Sequence, residues 1–159
     1  MNVRFIIGLF VFGIFLFQGC SGLKPYPRQE VNNISISTKV DSGSFFSSVN
    51  TEVDIYALDD KCQRNYEGTL KLDKSSIISG ITTDQEALLS FIFSNSSFLG
   101  NSNSSISFPI YLKTREGHRY DFIVSYKDNI YNVEVFEISQ KTKKRRELET
   151  EKREECQSL

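Results

Sequence analysis

The sequence predicts an all-β chain, an antiparallel β-sandwich of about seven strands. Three features carry that expectation. Apolar and polar residues alternate with a period of two in one segment after another, the pattern of a strand with a single buried face. Clusters of Gly, Asn, Asp and Ser separate those segments. Helical periodicity is weak everywhere before residue 140, and Thr83-Asp84-Gln85-Glu86 offers one turn at most.

The strands are expected in the following order. Ile34 and Ile36 alternate with serines in NISIST, and Val53, Ile55 and Ala57 share one face of TEVDIYAL. Leu70 and Leu72 alternate in GTLKL, while Leu89, Phe91 and Phe93 share one face of ALLSFIF. Ile106, Phe108, Ile110 and Leu112 do the same in SISFPIYLKT. Tyr120, Phe122, Val124 and Tyr126 follow in RYDFIVSY, then Tyr131, Val133 and Val135 in IYNVEVFEIS. Turn residues at 115–118 and 127–129 join these last three as an antiparallel meander, with Gly117 free to take a positive φ. Pro109 has no N–H to donate to a ladder, so its strand is expected at an edge or a bulge. Tyr120, just after the Gly117 turn, is placed to hydrogen-bond backward across a sandwich corner.

Two Ser/Asn/Gly-rich stretches, DSGSFFSSVN at 41–50 and SNSSFLGNSNSS at 94–105, are expected as loops. The tail QKTKKRRELETEKREECQSL is dense in both charges and nearly lacks apolar residues. It suits either a charged final strand over 143–149, protecting a sheet edge, or a short solvated helix. In pattern the chain resembles small immunoglobulin-like or transthyretin-like envelope modules, with a lipocalin-like barrel as the alternative fold.

At the N-terminus, Met1-Asn2-Val3-Arg4 precedes FIIGLFVFGIFLF, a run without a polar side chain. Its thirteen residues fall short of the about 20 that span a bilayer core. A basic start and a short apolar stretch followed by small residues describe a secretory signal peptide. The sequence continues Phe17-Gln18-Gly19-Cys20, which resembles the lipobox of bacterial lipoproteins, with Phe17 where Leu is usual. That resemblance implies cleavage before Cys20 and acylation of its thiol, and Ser21 then suits the outer membrane, facing the periplasm. An ordinary signal peptide is the alternative. The chain divides accordingly into a leader (1–19), a lipid-anchored tether (20–30) with two prolines, and one β-sandwich domain (31–159). About 140 residues remain after the leader, enough for a core of its own.

With Cys20 as the anchor, Cys62 and Cys156 are left in an oxidising compartment, where two cysteines usually pair. Closing a loop of about 94 residues stabilises by roughly 4–5 kcal/mol in the chain-entropy model. The chain carries 19 Lys and Arg against 20 Asp and Glu, which argues against a nucleic-acid partner. No nucleophile elbow, zinc-helix motif or phosphate-binding glycine loop is present. The single histidine, His118, falls in a predicted turn, and Asp59-Asp60 alone cannot assemble a calcium shell. Neither a metal nor a small-molecule cofactor is expected. The basic run Lys141 to Arg146 suits a charged edge, or contact with anionic headgroups or acidic wall polymer.

These features point to a non-enzymatic, membrane-anchored envelope protein that binds another envelope protein. The candidate contact is the 94–105 loop, with Asn95, Phe98, Leu99, Asn101 and Asn103. A periplasmic inhibitor of a wall-degrading enzyme such as lysozyme is the alternative, and catalysis through His118 the remote third.

Overall fold

The computed structural model describes residues 23–27, 29–41, 47–97, 103–128 and 130–149. Two sheets face each other, and no helix occurs among these residues. One sheet holds β2 (Ser47–Leu58), β3 (Arg64–Lys71), β5 (Glu86–Ser97) and β6 (Asn103–Lys113), in the order β3-β2-β5-β6. The other holds β1 (Ile34–Val40), β4 (Ser76–Ser79), β7 (His118–Lys127), β8 (Ile130–Ser139) and β9 (Arg145–Glu147), in the order β4-β1-β7-β8-β9. The all-β sandwich read from the alternation is therefore the fold.

The core lies where the alternating faces meet. Val53, Leu89, Phe91 and Phe93 of the four-stranded sheet are fully shielded, as are Ile36, Phe122 and Val124 opposite. Phe91 and Phe122 stack across the interface at 5.4 Å, and Phe93 meets Tyr131 at 4.9 Å. Each such side chain contributes about 1.5–3 kcal/mol by leaving water. The predicted inward face of every one of the seven strands contributes to this cluster or packs against it, Ile106 and Ala57 at its margins excepted.

The structure corrects the sequence reading in four places. First, the sandwich has nine strands among the described residues, and it is not wholly antiparallel: β1 runs parallel to β7, Ile36 opposite Phe122. Second, β6 and β7 do not pair, so the expected meander is an arch between sheets followed by one hairpin, β7–β8. Thr114, with no exposed surface, makes the crossing. Its N–H donates to the Gln85 carbonyl at 3.2 Å and its hydroxyl to the Thr82 carbonyl at 2.7 Å, so its backbone donor is spent on the segment between β4 and β5 rather than on a β6–β7 hairpin. Both strands still turn apolar faces to one core, which is why alternation could not tell the two topologies apart. Third, much of the two polar stretches is strand, as β2 opens at Ser47, β5 runs to Ser97 and β6 begins at Asn103. Fourth, the segment ahead of β1 is not a free tether. Pro25 bridges to Thr69, with Tyr26 N–H on the Thr69 carbonyl at 2.9 Å and Thr69 N–H on that of Lys24 at 2.8 Å.

Three finer expectations hold. β6, with Pro109, is an edge strand, where a missing donor leaves no ladder bond unmade. The Tyr120 hydroxyl donates backward to the Lys113 carbonyl at 3.3 Å. Of the two forms open to the tail, the strand is the one formed: β9 pairs with β8, Arg146 opposite Glu137, and covers that edge with charged residues.

Candidate interaction surface

The outer face of the four-stranded sheet departs from the polar pattern usual for a solvated sheet face. Tyr56 of β2 pairs with Tyr66 of β3 on one side and Leu88 of β5 on the other, and Leu88 pairs with Tyr111 of β6. A row of three tyrosines and a leucine thus crosses the whole sheet. Strand parity puts it on the side away from the core, and Leu88 is absent from the core cluster although only 2% exposed. The tyrosines shield it. The rings of Tyr56 and Tyr66 stand 5.4 Å apart. Arg64 donates to the Tyr111 hydroxyl at 3.3 Å, closing a concavity of about 430 Å³ also lined by Ser90, Ser107 and Pro109.

Below the row, the Tyr66 and Thr69 hydroxyls are 2.6 Å apart, and Thr69 donates a short bond to Asp54. Burial, and next the Asp54 carboxylate, push the Tyr56 hydroxyl above its ordinary pKa. The Tyr56 hydroxyl therefore stays a neutral donor at physiological pH. An aromatic platform with one guanidinium at its rim binds by contact area and directed hydrogen bonds.

The residues singled out by sequence are dispersed. Cys20, Phe98, Leu99, Asn101 and Cys156 lie outside the described residues. Asn95 sits inside β5 opposite Ser104, and Asn103 opens β6 opposite Ser96. The presumed contact loop is therefore a paired hairpin on its flanks. Its serines look like loop residues because this end extends beyond the apolar core, and bonds such as Ser48 to Ser96 at 2.8 Å join the strands instead. Cys62 takes a positive φ of 59° in the β2–β3 turn. The Asp59 carboxylate is occupied in that turn by the N–H groups of Lys61 and Gln63, at 2.9 and 2.8 Å. Among the described residues no group of three potential metal ligands forms.

His118 is at the start of β7 rather than in a hairpin turn, its Nδ1 bonded to the Glu116 carbonyl at 2.9 Å. The basic run is divided between a turn and β9. Within it, Arg145 stacks over Phe136 at 3.6 Å and Arg146 pairs with Glu137 at 2.6 Å. The tyrosine row escaped the sequence reading because Tyr56, Tyr66, Leu88 and Tyr111 stand on four strands. The available signal was that all four break the polar parity of their own strands.

No protein-family model matches this chain, and no curated protein matches it.

Proposed function

We propose that the chain is a non-enzymatic, lipid-anchored protein of a bacterial cell envelope, whose sandwich docks another envelope protein through the Tyr56–Tyr66–Leu88–Tyr111 face. The observation that carries the docking half is that row. Tyr and Arg are the residue types that dominate binding energy at protein interfaces, and here they crowd a face that needs no apolar residue for folding. The anchoring half rests on the FQGC leader. No helix among the described residues is long and apolar enough to cross a membrane, so attachment in this reading falls to the acyl chains of Cys20. Two or more such chains anchor stably.

The same reading pairs Cys62 with Cys156. Supporting it, β9 carries the tail to a point where Glu149 lines a cavity with Leu58, four residues before Cys62.

Two measurements test the proposal. Intact mass from membranes is expected to match a chain that starts at Cys20 and bears acyl groups, and to gain two hydrogens on reduction. A chain starting elsewhere without lipid refutes the anchor. Crosslinking in intact envelopes is expected to capture a protein partner, and the pair Tyr56→Ser and Tyr111→Ser to reduce its yield about tenfold or more. Undiminished capture refutes the docking face. Stoichiometric inhibition of lysozyme by the soluble domain would move the assignment to an inhibitor.

A further inference from the structure

At the end of the sandwich where β7 begins, two turns are fastened to each other. The Gln140 N–H donates to the Gly117 carbonyl at 2.8 Å, joining the β8–β9 turn to the β6–β7 arch. Between them lies a concavity of about 240 Å³ lined by Arg115, His118, Ser139, Thr142, Lys144 and Arg146, with Glu137 at its base. Its cations come from three places: the arch, the β8–β9 turn and β9.

One carboxylate does not satisfy them. Glu137, 7% exposed, holds Arg146 at 2.6 Å on one oxygen. Its other oxygen takes the Tyr120 hydroxyl at 3.4 Å and stands 3.8 Å from Arg115. That last distance is too long for a hydrogen bond, so the five N–H donors of the Arg115 guanidinium remain available toward the concavity. Lys144 has no ion pair among the described residues. Counting Arg115, Lys144 and Arg146 against Glu137, and His118 as neutral, the concavity carries an excess of two positive charges.

We infer that this concavity binds a phosphate group. Cations approaching from separate elements suit a tetrahedral oxyanion better than a planar carboxylate, which a single guanidinium fork would match. A phosphomonoester balances the excess charge, and the Ser139 and Thr142 hydroxyls add neutral donors. The tie between the turns holds the walls in place before the ligand arrives. This inference is independent of the lipid anchor and of the tyrosine face.

The test is an NMR titration of the protein with sodium pyrophosphate at constant ionic strength. Saturable shifts are expected at the amides of His118, Ser139, Thr142 and Lys144. Arg115→Gln and Lys144→Gln, both at exposed positions, are each expected to weaken binding about tenfold without lowering the thermal midpoint. Shifts that do not saturate, or that move Lys39 and Lys127 equally, overturn the site. Displacement by glucose 6-phosphate makes a soluble phosphomonoester the natural class, and displacement by short-chain phosphatidylglycerol below its micellar concentration makes it a lipid headgroup. Displacement by neither overturns the inference.

Discussion

Gly68 shows how tightly single residues hold the N-terminal segment. It has a φ of +148°, and a Cβ there would stand 2.6 Å from Tyr26 Cα. Both the backbone angle and the close approach require glycine. Gly68→Ala is expected to push Lys24–Tyr26 off β3 and to lower stability by about 1–3 kcal/mol, read from the denaturant midpoint. Tyr120 is the second such residue. Its hydroxyl serves the Lys113 carbonyl and Glu137, and burial, followed by the Glu137 carboxylate, pushes its pKa up to about 12. A raised pKa means the folded state retains a proton that the unfolded chain gives up near pH 10. The resulting stability is complete below pH 10 and lost as pH rises toward 12. Tyr120→Phe is expected to cost about 1 kcal/mol at neutral pH and to flatten the decline between about pH 10 and 12, measured by urea unfolding across that range.

Among the described residues β9 is the shortest strand, with three residues, all exposed. Burial cannot hold it. Its attachment comes from the Arg145 stack on Phe136, the Arg146–Glu137 pair and the Leu148 N–H on the Val135 carbonyl at 2.8 Å. Arg146→Ala removes the close partner of a buried carboxylate. It is expected to cost about 1–3 kcal/mol and to speed hydrogen exchange along the outer edge of β8, leaving β1–β7 protection unchanged. The edge at β6 is protected differently. Pro109 puts a residue without an N–H on that strand, and this denies an incoming strand one bond.

For the whole molecule, the two sheets share one core, and Phe91 is at its centre with no exposed surface. Phe91→Ala is expected to cost about 3–5 kcal/mol and to lower the midpoints of both sheets together, followed by amides of β2 and β7. Separate transitions would show that the sheets unfold independently. Substitutions on the outer tyrosine row are expected to leave the transition nearly in place, because Tyr56 and Tyr111 lie outside the core cluster.

Much of this was legible along the chain. Period-two alternation determined the class of fold and the inward faces of seven strands, since burial of one sheet face is a local demand written into each segment, and the missing N–H of Pro109 pointed to an edge or a bulge. The resemblance of Phe17-Gln18-Gly19-Cys20 to a lipobox likewise rests on sequence alone. Alternation is blind to which strands become neighbours, because β6 and β7 present apolar faces to one core whether they pair or cross between sheets. Partnering was decided by tertiary hydrogen bonds such as those of Thr114, and by the parallel register of β1 on β7. The tyrosine row and the cationic concavity were decided the same way. Each joins side chains from separate strands or turns, and only pairing between strands distant in sequence puts them side by side.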